Sequence, residues 1–165
     1  MSNIAYVVRK SLYIAVTNSS NTTSLFESRG AGFGMQSFAP LPDGCEPTAK
    51  EIEAAVANRL KDRSFEAVVF AGLGEPTLRL STVLEAARLL RCKSLPLRLN
   101  TNGLGCLVHK RDIIPELKES GIVSVSVSIN TADPNQYPQL MNSEVNYFRL
   151  SPLLAVLLPA CRLDF

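Results

Sequence analysis

The segment FEAVVFAGLGEPT (residues 65–77) decides the fold of this chain. It begins as an apolar run rich in branched side chains and then breaks into GLGEPT at positions 72–77. A continuous apolar run of this length that ends at glycines is typical of a buried parallel strand. We therefore predict a central β-strand followed by a tight, glycine-containing turn.

Glu75 follows this strand at its carboxyl end, where α/β folds bind their ligands. Gly72 and Gly74 permit a close approach of the backbone to a ligand, or a positive φ. A carboxylate held there by Pro76 is able to accept charge-assisted hydrogen bonds from an ammonium group. The alternative is an ordinary turn in which Glu75 is solvated, and the hexapeptide alone does not separate the two.

Composition describes a globular chain of 165 residues, long enough for one domain with a core. Apolar residues make up 46% and charged residues 19%, and the formal charge of +2 is too small to indicate nucleic-acid binding. The N-terminus lacks the apolar stretch of a signal peptide, and no apolar run is long enough to span a bilayer. The four cysteines have no metal-binding spacing and favour a reducing, cytoplasmic compartment: Cys45, Cys92, Cys106 and Cys161.

The remaining chain alternates predicted strands and helices. Strands are predicted at 11–17, 96–101 and 123–130, and helices at 48–60, 82–91, from Asp112 to Gly121, 134–141 and 151–158. Capping boxes are predicted at Thr48/Glu51 and Thr82/Glu85. Four successive βα units predict a parallel sheet with right-handed crossovers, and a closed eight-unit barrel needs a longer chain. Because parallel strands share a direction, the four loops that follow them are expected at one edge of the sheet.

Four segments together resemble the radical SAM superfamily: LYIAVTN at 12–18, GLGEPTLR at 72–79, LNTNGLG at 99–105 and SVSVSIN at 124–130. They occur in the family's order, cover about residues 11–140, and most resemble the TatD-associated branch. The resemblance implies a single α/β domain over 1–165. Its expected fold is a partial (β/α) barrel, with about four βα units of parallel sheet and outer helices. The implied activity is radical chemistry with S-adenosylmethionine and a [4Fe–4S] cluster.

The resemblance also implies a cofactor site. Glu75 is expected to receive the methionine amino group, Asn100 and Asn102 to line the pocket, and residues of the last strand to reach the ribose or carboxylate. Side chains at i, i+2 and i+4 of that strand share one face. The expected cofactor-binding residues are Gly72, Gly74, Glu75, Pro76, Thr77, Asn100, Asn102, Ser126, Ser128 and Asn130.

The thiolates that hold the family's cluster are missing. The pattern C-x3-C-x2-C after the first strand would place cysteines where this chain has Ser20, Ser24 and Glu27. Iron–sulfur clusters are held chiefly by thiolate, and a serine hydroxyl hardly ionises near neutral pH. We predict no stable cluster and a catalytically inactive chain. The alternatives are an active enzyme and a remnant that binds S-adenosylmethionine, a nucleotide or a partner.

The resemblance fades near Gln139, and 141–165 is a divergent apolar tail where the family continues for about two more βα units. A truncated or alternatively read gene product would have this form. The last strand would then be an exposed sheet edge, which favours self-association or a covering partner. The apolar residues 150–158 are a further candidate to cover it.

Other candidate residues give weaker predictions. We interpret His109 as a surface residue without an orienting partner, and the glycine-rich segment 30–34 as a flexible loop rather than a phosphate-binding loop. Ser19, without a GxSxG context, does not indicate a serine hydrolase. Cys45 and Cys106 are expected in loops at one edge, where they form a candidate metal pair. Incidental thiols are the favoured interpretation.

Overall fold

The computed structural model describes residues 4–23, 40–128, 131, 133 and 135–141. Five strands form one sheet in the order β1-β2-β3-β4-β5. Strands β2 to β5 run parallel, and β1 pairs antiparallel with β2. The predicted α/β architecture, with a mostly parallel sheet and flanking helices, is confirmed. The strands are β1 Ala5–Val8, β2 Ser11–Ala15, β3 Ala67–Ala71, β4 Leu97–Thr101 and β5 Ile122–Val127.

Helices connect the parallel strands. Helix α1 begins at its predicted capping box, where the Glu51 N–H donates to the Thr48 hydroxyl and the Thr48 N–H donates to the Glu51 carboxylate. These bonds to Thr48, the backbone bond first, hold the pKa of Glu51 below its usual value. No helix among the described ranges is long and apolar enough to cross a membrane. The helices are α1 Ala49–Asp62, α2 Leu80–Leu90, α3 Gly105–Val108, α4 Ile114–Ser120 and α5 Tyr137–Met141.

Two sequence predictions about these elements were wrong. The capping box predicted at Thr82 and Glu85 does not start a helix, because the 3₁₀ turn Pro76–Arg79 runs directly into α2 at Leu80. Thr82 therefore lies inside α2. The hairpin strand β1 was not predicted, so the sheet is not wholly parallel.

Among the described residues, the helices α1, α2 and α4 cover one face of the sheet. Helices α1, α2 and α4 pack there on alternate strand residues, among them Leu12, Ile14, Val68, Phe70, Leu97 and Leu99. The intervening residues point to the opposite face, where Ala67, Val69 and Ala71 form a separate buried cluster. A sheet with helices on one side only has the layering expected of a partial barrel, whose interior is the second face.

Strand β5 contains a β-bulge near its start. Leu97 pairs with Ile122, but Arg98 pairs with Ser124, so Val123 is an extra residue. Val123 is 70% exposed, whereas Ile122 belongs to the helix-side core. The bulge therefore leaves Val123 outside the helix-side core, although Val125 further along the strand packs against it.

Candidate functional site

The loops that follow β2 and β3 lie against each other at the carboxyl edge, the edge of the sheet where the parallel strands end. The Gly74 N–H donates to the Thr17 carbonyl at 3.2 Å, and the Glu75 N–H donates to the Ser19 carbonyl at 2.9 Å. The loop after β5 joins β4, since the Ser128 N–H donates to the Thr101 carbonyl at 2.9 Å. The convergence predicted from strand direction is therefore present.

Gly72 and Gly74 of the central turn are required for different structural reasons. A Cβ on Gly74 would lie 2.4 Å from the Ser19 oxygen and 2.6 Å from the Thr17 oxygen, so the neighbouring loop excludes a side chain. Gly72 has a φ of +132°, and a Cβ there would lie 3.2 Å from the Ala15 Cα. The requirement for both glycines thus comes from the protein backbone itself.

Glu75 is a buried carboxylate that joins β3 to β4. Its side chain is 4% exposed, so the solvated-turn alternative is wrong. Oε1 accepts bonds from the Thr77 N–H at 2.9 Å, the Thr77 hydroxyl at 2.6 Å and the Thr101 hydroxyl at 2.7 Å. Oε2 accepts one bond, from the Asn102 N–H at 2.7 Å. Each carboxylate oxygen has about two acceptor positions, so Oε2, with one bond, retains one.

The side chain of Asn102 connects β4 to the loop after β2. Its Oδ1 accepts a bond from the Leu104 N–H at 3.0 Å. Its Nδ2 donates to the Asn21 Oδ1 at 2.8 Å and lies 3.3 Å from the Thr22 hydroxyl. The predicted pocket residue Asn102 is therefore engaged by the protein on both sides.

Asn18 and Thr23 hold the chain on either side of the undescribed residues 24–39. The Asn18 Nδ2 donates to the Leu41 carbonyl at 2.8 Å, and the Leu41 N–H donates back to the Asn18 Oδ1 at 3.1 Å. The Thr23 N–H donates to the Met141 carbonyl at 2.8 Å. This clamp was not predicted from the sequence, where its signal is the asparagine that follows the predicted strand 11–17.

Arg79 is a second residue that sequence analysis missed. Its Nη1 donates to the carbonyls of Val16 at 3.1 Å and Pro47 at 2.8 Å. Its Nε lies 3.4 Å from the Glu46 Oε2, and its side chain is 20% exposed. The guanidinium therefore ties the end of β2 to the approach to α1.

Asn100 and Ser126 pair across β4 and β5 on the face opposite the helices. Ala15 and Ala71 pair at the same end of β2 and β3, so the neighbouring positions are small. The Ser126 Oγ is buried and has no hydrogen-bond partner among the described residues. Buried hydroxyls normally have a partner, and among the described residues this one remains available to a ligand or a water molecule.

Ser20, which the resemblance places at the first cluster position, is engaged in a local turn. The exposed Ser20 donates its hydroxyl to the Thr22 carbonyl at 2.7 Å and accepts the Thr22 N–H at 3.2 Å. Ser24 and Glu27 lie outside the described residues, as does Asn130. Two hydroxyls and a carboxylate are not the thiolate donors that a [4Fe–4S] cluster requires, so the residues do not fit this group.

His109 is not a solvated surface residue, contrary to the prediction. It is half-buried, and its Nε2 lies 2.7 Å from the Thr77 carbonyl. Because a carbonyl oxygen only accepts, the Nε2 nitrogen is the donor of this bond. Thr77 itself is buried, as is Pro76, so His109 supports the turn that carries Glu75.

Cys45 and Cys106 are half-buried thiols packed against the main core. Burial raises the pKa of Cys106, whose Sγ lies 4.0 Å from the Asp112 carboxylate. The described residues contain no group of three or more histidine, cysteine, aspartate or glutamate side chains arranged to hold a metal. The pairing of these two cysteines on a metal stays a prediction.

Comparison with known proteins agrees with this architecture. The sequence model of the Radical SAM superfamily matches residues 37–150. The crystal structure of Streptococcus suis SuiB bound to precursor peptide SuiA superposes with a TM-score of 0.62 at 20% identity. The match covers 93% of this chain and 32% of that chain, so this chain spans about a third of its length. At this identity the likeness shows the fold alone. No curated protein sequence matches this chain.

Proposed function

Because this chain belongs to the radical SAM superfamily, we propose that it binds an S-adenosyl ligand at its carboxyl edge without cleaving it. The family model matches most of the chain, including the loops after β3, β4 and β5. Within the superfamily, the four segments at 12–18, 72–79, 99–105 and 124–130 support a place near the TatD-associated branch.

The observation that carries this proposal is the pair Asn100 and Ser126. Both lie on the face opposite the helices, near the strand ends, where α/β sheets bind ligands. The Ser126 hydroxyl is buried without a partner among the described residues, and the adjacent Ala15 and Ala71 are small. Neutral polar groups beside small side chains suit a ribose or a purine edge.

The donor set at positions 20, 24 and 27 supports the proposed inactivity. In the family a [4Fe–4S] cluster supplies the electron that cleaves S-adenosylmethionine, and such clusters depend on thiolate ligands. Ser20, Ser24 and Glu27 supply none. We propose that the chain keeps the family's scaffold and ligand pocket and has lost the redox step.

Anaerobic reconstitution with iron and sulfide tests the lost redox step. The wild-type protein should remain colourless and retain no iron after desalting. The triple variant Ser20→Cys/Ser24→Cys/Glu27→Cys is the matched control, because it restores the family's ligand spacing. A brown, iron-retaining wild-type protein would contradict the proposed inactivity.

Calorimetry with S-adenosylmethionine tests the pocket. Ser126→Ala should weaken binding by about fivefold, the value of one hydrogen bond of about 1 kcal/mol. Ser124→Ala is the control, because Ser124 lies on the same face of β5, one pair further from the carboxyl edge. Equal affinities in wild type and Ser126→Ala would remove Ser126 from the site, and an absence of binding would refute the proposed ligand.

A second candidate function is binding of a partner at β5. This strand ends the described sheet, and its Val123 is 70% exposed. We propose self-association or a covering protein there, with the apolar residues 150–158 as an alternative cover. Val123→Lys should lower the mass measured by light scattering if copies associate through β5. Val108→Lys, at a valine that is 42% exposed, is the control.

Cysteine usage supports a cytoplasmic location for this function. Cys45, Cys92 and Cys106 are free thiols in the structure. Free thiols persist in reducing compartments, and secreted domains of this size commonly pair them.

A further inference from the structure

The hydrogen bonds at the carboxyl edge bear on which end of the ligand is recognised. We propose that the site binds the nucleoside end of its ligand and has lost recognition of the amino-acid end. S-Adenosylhomocysteine and 5′-methylthioadenosine should then bind about equally, because they share a thioether nucleoside and differ in the amino-acid end. This inference rests on the proposed function, and it deepens it by naming the ligand class.

The amino group of such a ligand would need a carboxylate acceptor, and Glu75 is largely occupied. Three donors of Thr77 and Thr101 bond to its Oε1, and the Asn102 N–H bonds to its Oε2. The side chain is only 4% exposed. An ammonium group therefore finds at most one acceptor position on this carboxylate, and reaching it would require displacing packed protein atoms.

The carboxylate of the ligand would need N–H donors, and the backbone donors of the central turn are in use. The N–H groups of Gly74 and Glu75 donate to the Thr17 and Ser19 carbonyls. The N–H group of Thr77 donates to the Glu75 side chain. Within this turn, as described, an incoming carboxylate would have to compete with bonds of 2.9 to 3.2 Å.

Arg79, the cation nearest to this turn along the chain, already bonds to other protein groups. Arg79 bonds to the carbonyls of Val16 and Pro47 and forms an ion pair with Glu46. A metal ion could have bound the amino and carboxylate groups together, but the donors at positions 20, 24 and 27 do not fit the family's cluster. Among the described residues, the groups of the central turn and Arg79 that could anchor the amino-acid end are thus already bonded within the protein.

The groups offered to the nucleoside end are Asn100 and Ser126, which pair across β4 and β5. Asn100 carries both a donor and an acceptor, and the unpartnered Ser126 hydroxyl can act as either. Both groups are neutral and match the hydroxyls of a ribose or the edge of adenine. The neighbouring Ala15 and Ala71 add no large side chain at this end of the sheet. This distribution of free and occupied groups favours the nucleoside over the amino acid.

Calorimetry with the matched pair tests the inference. We expect the Kd values of S-adenosylhomocysteine and 5′-methylthioadenosine to agree within about threefold, since each tenfold corresponds to about 1.4 kcal/mol of recognition. Free methionine should show no binding. A preference of about tenfold or more for S-adenosylhomocysteine would overturn the inference and leave the proposed function standing. Binding of neither nucleoside would refute the proposed function itself, and the inference with it.

Two variants separate recognition from folding. Asn100→Leu should weaken both nucleosides by the same factor, because it removes a contact to the part that they share. Glu75→Gln should leave the ratio of the two affinities unchanged, even where it lowers stability. A ratio that changes in Glu75→Gln would show that this carboxylate contacts the amino-acid end.

Discussion

Glu75→Gln removes one hydrogen-bond acceptor from the carboxyl edge while keeping the size of the side chain. The carboxylate accepts four bonds, and a glutamine amide has only one oxygen. If that oxygen keeps the three donors of Thr77 and Thr101, the amide NH₂ group faces the N–H of Asn102. One backbone donor then loses its acceptor.

The expected loss is about 2 kcal/mol of unfolding free energy. An unsatisfied backbone N–H costs about 1–3 kcal/mol, and removing a buried charge partly offsets the weaker bonds to the neutral amide. For a chain of 165 residues each kcal/mol lowers Tm by about 2–4 °C, so the expected fall is about 4–8 °C.

Thermal unfolding followed by circular dichroism measures this shift. Glu66→Gln is the matched control, because Glu66 is 64% exposed and forms a surface ion pair with Lys10. Exposed pairs contribute little, so its Tm should stay within about 1 °C of wild type. If Glu75→Gln also stays within that margin, the four bonds do not stabilise the fold and the assignment of Glu75 as a connecting residue fails.

Three further changes test other contacts of the same edge. Gly74→Ala should cost about 1–3 kcal/mol in urea unfolding, because its Cβ would overlap the adjacent backbone, and an unchanged midpoint would contradict that packing. Asn21→Ala removes the oxygen that accepts the bond from the Asn102 Nδ2, so the hydrogen-exchange rate of the Thr23 amide in the same loop should rise about fivefold. Asn21→Asp retains that acceptor oxygen and should leave the rate unchanged. Burial raises the pKa of Cys106, so at neutral pH it should be alkylated more slowly than the exposed Cys92. The alkylation rate of Cys106 should keep rising with pH at values where an ordinary thiol is already fully ionised. Equal rates at all pH values in peptide mapping would count against this.

Part of the candidate site followed from the order of elements. Alternating strands and helices predict a parallel sheet, and parallel strands end at one edge, so the meeting of the 72–77 loop with its neighbours was predictable. The hydrogen-bond partners of Glu75 could not be predicted from the order of elements. Thr101 lies 26 positions away, and only the pairing of β3 with β4 brings its hydroxyl to the carboxylate. In the same way, one hydrogen bond of Arg79 is made to the carbonyl of Val16, which lies 63 positions earlier.

The sequence by itself determined the properties that depend on residue type and on local spacing. These include the apolar strand within 65–71, the capping box at Thr48, and the absence of thiolates at positions 20, 24 and 27. The tertiary structure alone decided which polar groups are occupied and which remain free. Among the described residues Glu75 has four bonds and the Ser126 hydroxyl has none, because strand register and loop packing assign partners between distant residues. Local spacing does not encode these partners.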